Sequence, residues 1–265
     1  MNHAVSFDEL AADYDRSFTA TTIGERMRAA TWRRLDLAFR PGERVLELNC
    51  GTGEDAVHLA RRGVRVLATD ASPAMLAATR AKVERAGLAH MVEVAPLRIE
   101  GLASQGPCGG FDGVLSNFGG LNCVDELPNV ARALALLLPP GGKALLCVMG
   151  PAVPWEWGWY LARGQPAKAL RRLRRGGTPW RGLTIRYPTV GTTRRAFAPY
   201  FEQRRVAALG ALVPPPFAGA WAAHHPRLLA ALDRWERGLE TLPPLPWLAD
   251  HYLMELERSH APACL

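Results

Sequence analysis

The sequence predicts an α/β protein built on a doubly wound, Rossmann-like parallel sheet. Three observations carry this. Short apolar runs alternate with helical segments from residue 41 to 150. A glycine-rich turn, Asn49-Cys50-Gly51-Thr52-Gly53, directly follows the first apolar run. Gly or Pro closes most of the helical segments. The chain has 265 residues, enough for one large α/β domain or one domain plus a modest insertion. With 48% hydrophobic and 22% charged residues it has ordinary globular composition.

The elements follow in order. Thr22 and Glu25 form a capping box, and apolar residues recur at three- and four-residue steps over 23–39, so an amphipathic helix is expected there, ended by Pro41-Gly42. Val45–Leu48 is a strand. A helix from Glu54 to Arg62 stops at Gly63. Arg65–Thr69 is a strand ending at Asp70, and Ser72-Pro73 starts a helix that runs to about Ala86. Val92–Val94 and Phe111–Ser116 are strands, 126–138 is a helix, and Lys143–Met149 is the next strand. Such alternation implies right-handed βαβ units. Beyond Met149 the pattern loosens. We expect a basic helix over 160–175, short strands at Ile185–Val190 and Arg204–Val213, and a helix over Pro226–Leu242 with Leu228, Leu229, Leu232, Trp235 and Leu239 on one face. His251–Arg258 alternates and reads as a last strand. The expected organisation is an N-terminal helical cap (1–40), a nucleotide-binding core (41–150), a lid or substrate insertion with a sheet-completing strand (151–250), and a closing strand and tail (251–265).

Composition excludes several classes. No apolar run approaches the roughly 18 residues of a membrane span. Asp8 and Glu9 stand where a signal peptide would be basic and then apolar, so a cytoplasmic protein is expected. The five cysteines form no C-x-x-C pair, which argues against a disulfide framework and against zinc. Adjacent His224 and His225 lack a third ligand at suitable spacing, so no metal is expected. The formal charge is +7, but it is uneven. Between Glu156 and Glu202 there are ten cations and no acid; the remainder is mildly acidic. That stretch is either a solvated face or an anion-recognising one.

The informative constellation is strand, glycine turn, helix, strand, acid. Gly51, Gly53 and Ala56 fit a loose G-x-G-x-x-A pattern, and Asp70 follows about 20 residues on. Glycines let backbone amides approach a ligand at a helix N-terminus, and the acid can accept ribose hydroxyls. A dinucleotide and S-adenosylmethionine both satisfy this. Glu47, a carboxylate inside an apolar strand, is costly without a charged neighbour and is not required by the dinucleotide fingerprint.

Taken together, Glu47–Gly53 resembles motif I of the class I S-adenosylmethionine-dependent methyltransferases, in their small-molecule (type 11/12-like) branch. The likeness extends through Val66–Leu76, Gly110–Asn117 and Leu138–Gly142, and returns at Ala249–Leu253. The resemblance implies a seven-stranded sheet with a final antiparallel strand and S-adenosylmethionine as cofactor. It places Glu47 near the methionine amino end, Asn49, Cys50, Gly51 and Gly53 around methionine and ribose, Asp70 on the ribose hydroxyls, and Ala71 and Met75 against adenine. Asn117 and Phe118 would line the methionine side, Tyr14 would close over the cofactor, and Arg28 is a candidate for its carboxylate, the alternative being a solvated helix charge. Two residues depart from the pattern. Asn49 stands where glycine is usual, and it tolerates positive φ. Arg98 stands where an acid often recognises adenine, leaving that task to Ile99 and apolar packing.

The expected reaction is methyl transfer to a small aromatic or heterocyclic acceptor, O- or N-directed. Positioning supplies much of such catalysis, and His224, His225 and His251 are the candidate bases. Phe18, Trp155, Trp157, Trp159, Phe217 and Trp221 are candidates for an apolar acceptor pocket; the alternative for the tryptophans is packing. Two other readings stand beside this one. A nucleic-acid methyltransferase would use 163–195 as a phosphate track, although Ser116-Asn117-Phe118-Gly119 lacks the Asn/Asp-Pro-Pro-aromatic tetrapeptide of amino-directed enzymes. A catalytically silent cofactor-binding partner subunit would keep the glycines and Asp70.

Overall fold

The computed structural model describes residues 4–105 and 110–260, so the ends of the predicted cap (1–3) and tail (261–265) lie outside it. The strands are β1 (Arg44–Leu48), β2 (Arg65–Asp70), β3 (Val92–Pro96), β4 (Gly113–Ser116), β5 (Lys143–Met149), β6 (Thr178–Trp180), β7 (Leu183–Ile185), β8 (Phe201–Leu209) and β9 (His251–Arg258). Seven of them form one sheet in the order β3-β2-β1-β4-β5-β9-β8. β1 to β5 pair in parallel, while β9 runs antiparallel between β5 and β8. This is the doubly wound sheet with an antiparallel closing strand.

The central strands read as continuous apolar runs because both faces are covered. Alternation sorts their side chains: Ala144, Leu146 and Val148 of β5 join one core layer, and Leu145 and Cys147 the other. The helices are α1 (Ala4–Tyr14), α2 (Thr22–Ala38), α3 (Glu54–Arg61), α4 (Pro73–Arg85), α5 (Leu102–Gln105), α6 (Leu127–Leu137), α7 (Pro154–Leu161), α8 (Pro166–Ala169), α9 (Val190–Phe197), α10 (Gly219–His224) and α11 (Pro226–Leu239). Leu127, Val130, Leu134 and Leu137 of α6 pack on one face of the sheet, and α3 covers the other with Ala56, Val57, Leu59 and Ala60. Among the described residues no helix is long and apolar enough to cross a membrane.

Several expectations are corrected. α2 is capped by Thr21, not Thr22: Thr21 is extended and its side chain accepts the Gly24 N–H at 3.0 Å. The basic helix of 160–175 breaks into α7, α8 and a 3-10 turn, because Gly164 takes φ +68° and Pro166 starts a new helix. The strand expected at Ile185–Val190 ends at Ile185, and Thr189 instead caps α9. β8 begins at Phe201 and ends before Gly210, which takes φ +74°. The apolar face predicted for α11 is buried only in part: Leu229 is buried and Leu232 half-buried, but Leu228, Trp235 and Leu239 are exposed, while Asp233 and Glu236 are buried. Ion pairs set this rotation. Asp233 meets Arg26, and Glu240, just past the helix, meets Arg33 and Arg34. Glu236 accepts the N–H groups of Gly210, Leu212 and Val213.

Candidate active site

Strand order reverses between β1 and β4, and the crevice beyond their C-terminal ends is where ligands bind in open α/β sheets. Asn49, which follows β1, has φ +52°, and Gly51 has φ +56°. The Asn49 side chain is used structurally. Its Nδ2 donates to the Asn117 carbonyl at 2.7 Å, and Ser116 Oγ donates to its Oδ1 at 2.6 Å. It thereby clips the two loops together, and Gly120 must be small because a Cβ there would lie 2.1 Å from Asn49. Gly53 serves close packing, since a Cβ would lie 2.6 Å from Thr79 of α4. A Cβ at Gly51 would meet nothing within 4 Å, so its α-carbon faces open space, while its carbonyl accepts from Thr79 Oγ1 at 2.8 Å.

Asp70 closes the turn. Its Oδ2 accepts the Gly51 N–H at 3.0 Å and its Oδ1 the Ser72 N–H at 2.9 Å. Burial pushes its carboxyl up, against the pull of these amides. Each oxygen keeps a lone pair for a ligand hydroxyl.

Asp55 organises the floor. It accepts from Arg28 Nη1 at 2.8 Å, Trp32 Nε1 at 2.7 Å and Asn117 Nδ2 at 2.8 Å. The Arg28 guanidinium also lies 4.9 Å from the centre of the Phe118 ring, and its buried Nε has no protein partner. Glu47 is buried, and its Oε2 lacks a partner. Burial, and then the Asp55 charge, push its carboxyl well above the usual range.

A cavity of about 450 Å³ opens here, a usual size for a small-molecule site. Of the predicted cofactor residues, Tyr14, Arg28, Asn49, Cys50, Gly51, Asp70, Ala71, Met75, Arg98, Ile99, Asn117 and Phe118 line it. Glu47 and Gly53 do not; they support the loop from behind. Burial pushes the Tyr14 hydroxyl up to about 12, so it is a neutral donor.

The predicted acceptor residues fall elsewhere. Trp155 packs on Trp221 at 5.6 Å and donates to the Leu212 carbonyl, and Trp159 packs on Phe217 at 5.5 Å. Phe18 and Trp221 border a cluster with Ile23, Met27, Val213 and Leu229. None of these, nor Trp157, lines the cavity. They follow the lid's own packing because Glu156, not a tryptophan, takes the innermost place on α7 and pairs with Arg171 and Arg172 at 2.7 Å each. His224 and His225 are exposed and bond backbone carbonyls of their own helix, and His251 is buried against Asp250 at 2.9 Å. Among the described residues no histidine lines the cavity.

Sequence reasoning missed the residues that do form the far wall. Trp180, Leu183 and Ile185 come from a hairpin of β6 and β7, whose turn residues Arg181 and Gly182 both take positive φ. That is the two-residue turn that matches strand twist, and Trp-Arg-Gly between two short apolar runs was its signal. Phe7 of α1 meets Trp180 at 5.5 Å, and Arg181 pairs with Glu9 at 2.5 Å, so the hairpin and α1 close over the cavity. Asp8 fastens α1 by accepting from Ser72 Oγ and Ala74 N–H at the start of α4. Cys123, Val124, Met149 and Tyr187 complete the wall.

These residues fit S-adenosylmethionine. Asp70 has free lone pairs at the glycine turn, Met75, Leu97 and Ile99 offer apolar contact, and the Arg28 guanidinium on the cavity wall offers a cation for a carboxylate.

Comparison with known proteins agrees. Residues 45–142 match the family described as "Methyltransferase domain". The chain is 36% identical over 150 residues to a demethylmenaquinone methyltransferase of Thermus thermophilus, covering 55% of this chain and 64% of that one. It is 34% identical over 172 residues to another from Corynebacterium urealyticum, covering 63% and 69% respectively. Solved structures share the fold at low identity. A geranyl diphosphate C-methyltransferase from Streptomyces coelicolor has a TM-score of 0.59 at 15% identity, over 88% of this chain and 81% of that one. An S-adenosylmethionine-dependent methyltransferase from Mesorhizobium loti has 0.57 at 20%, over 88% and 98%. The chain belongs to the class I S-adenosylmethionine-dependent methyltransferases.

Proposed function

We propose that the protein methylates a small, apolar, aromatic or quinol-like acceptor held between the cofactor loop and the β6–β7 hairpin. One observation carries this reading. The single cavity that contains Asp70, Gly51 and Arg28 continues into a wall of Phe7, Val124, Met149, Trp180, Leu183 and Ile185. The relatives named for demethylmenaquinone support the same acceptor chemistry, although the first of them is matched over only 64% of its length.

In this reading Asp70 takes the ribose hydroxyls, Arg28 and Asn117 the methionine end, Ala71, Met75 and Ile99 the adenine, and Tyr14 covers them. S-adenosylmethionine supplies an electrophilic methyl group on a sulfonium. The chain's own part is to hold the acceptor in line and to exclude water, which accounts for much of the barrier reduction in such transfers. Phe7, Trp180 and α1 form the cover.

Release of S-adenosylhomocysteine across a panel of quinols, phenols, heteroaromatics, aliphatic amines and short acids tests the proposal. Turnover of quinols or phenols is the expected outcome. Turnover confined to aliphatic amines or short acids would contradict it.

A further inference from the structure

We propose that the outward face of α11, with the exposed edge of the lid, attaches this protein to an anionic lipid surface. The inference goes beyond the reaction and does not depend on it.

Three observations carry it. First, α11 buries only part of its apolar stripe, Leu229 fully and Leu232 in part, where an ordinary surface helix buries the whole of it. Its acids Asp233 and Glu236 face inward, while Trp235 is 61% exposed and Leu228 and Leu239 are also in solvent. Leu242 and Trp247 continue this exposure beyond the helix. The rotation is fixed by the pairs to Arg26, Arg33 and Arg34 and by the three backbone bonds to Glu236, so the exposed face is built in. Contiguous exposed apolar residues of this kind mark interaction sites.

Second, the outward charges of α11 all have one sign. Arg227 and Arg234 are exposed, Arg237 is exposed and also pairs with Asp233, and each acid on the helix is buried. Leu and Trp beside Arg, with no outward acid, is the composition of a helix that lies in a headgroup layer.

Third, the lid repeats the pattern. Leu161, Leu170 and Leu173 are exposed among Arg163, Lys168, Arg174 and Arg175, and none of these four cations has a carboxylate within ion-pair distance among the described residues. The two regions are braced to each other, because α7 packs through Trp155 and Trp159 on Trp221 and Phe217, just ahead of α11. Charge complementarity selects an anionic partner. The interleaved leucines favour lipid over a nucleic-acid backbone, which offers them nothing to bury.

The test is cosedimentation of the full chain, without cofactor or acceptor, with phosphatidylcholine vesicles with and without phosphatidylglycerol. Binding to the anionic vesicles, weakened by salt and absent from neutral ones, is expected. Trp235→Ser combined with Leu239→Ser, both solvent-exposed positions, should weaken it about tenfold with an unchanged unfolding midpoint. Arg174→Glu with Arg175→Glu should weaken it by a similar factor. No binding to anionic vesicles, or binding indifferent to both double variants, would overturn the proposal. So would a dimer that the Trp235/Leu239 variant splits without any vesicle binding, which would make a second copy the occupant. RNA binding at physiological salt without vesicle binding would also overturn it. Because methyl transfer is not read, failure here leaves the acceptor assignment untouched.

Discussion

The parallel sheet and the lid both bury charge, but they finish the job differently. Near the ends of β1 and β2 a buried acid, Glu47, has no cation within ion-pair distance among the described residues, and Asp70 keeps lone pairs at the glycine turn. In the lid each buried charge faces an opposite one, although Arg172 Nε and the Glu156 carboxylate oxygens, like Glu47 Oε2, lack well-aligned hydrogen bonds. Arg172 reaches Glu156 at 2.7 Å, Asp250 at 2.5 Å and the carbonyls of Gly150 and Asp250. It thus bolts the lid to the ends of β5 and β9. The difference lies in charge pairing: the lid's buried charges hold the chain together, while the acids of the crevice keep capacity toward a ligand.

The largest expected effect tests the lid side. Asp250→Asn leaves Arg172 buried with half its compensation, and urea unfolding at pH 7 should show a loss of about 3–5 kcal/mol. Against its burial, Arg172 and then His251 hold the Asp250 carboxyl far below the usual range. Its contribution is therefore present above the unfolded-state pKa and is lost as pH falls through the lower folded value. The difference between wild type and variant should shrink in strong acid. A constant difference would mean the pair is not what holds the lid.

Gly120→Ala comes next. A Cβ 2.1 Å from Asn49 forces the two crevice loops apart, at a cost of about 1–3 kcal/mol. Wild-type stability in denaturant titrations would show that the Asn49 clip is loose.

Trp180→Ala against Trp157→Ala separates cavity wall from packing in the assay. KM for the acceptor should rise roughly tenfold in the first, a change of about 1.4 kcal/mol. It should stay near wild type in the second. Equal effects would return the α7 tryptophans to the site.

Glu47→Gln is the smallest change. The folded carboxyl is raised by burial, so the stability tied to Glu47 is present below its unfolded pKa and is lost as pH rises through the folded one. The Gln variant should match wild type near pH 4 and be at least as stable at pH 8. A less stable variant at pH 8 would show that the charged form is favoured.

Most of the sheet was legible because apolar runs, glycine turns and Ser72-Pro73 are local signals. The cofactor half of the site was legible for the same reason: Gly51, Asp70, Asn117 and Phe118 sit at strand ends that the pattern defines. The lid was not. Its burial is decided by pairs far apart in sequence, Arg172 with Asp250 and Asp233 with Arg26 among them. Local periodicity on α11 pointed its whole apolar face inward, and those distant pairs left Leu228, Trp235 and Leu239 outside while Leu229 stayed buried. For Trp155 and Trp159 both a ligand wall and packing were open, and α7 turns on Glu156, whose partners Arg171 and Arg172 lie in the stretch that read as either a solvated or an anion-recognising face.

The central claim is that the groups around Asp70 form the cofactor site. Calorimetric titration of S-adenosylhomocysteine into wild type and Asp70→Ala tests it most directly. The account predicts binding by wild type, an affinity lower by about 1–3 kcal/mol in the variant, and no binding of NAD to either. Unchanged affinity in Asp70→Ala, or NAD binding without S-adenosylhomocysteine binding, would contradict it.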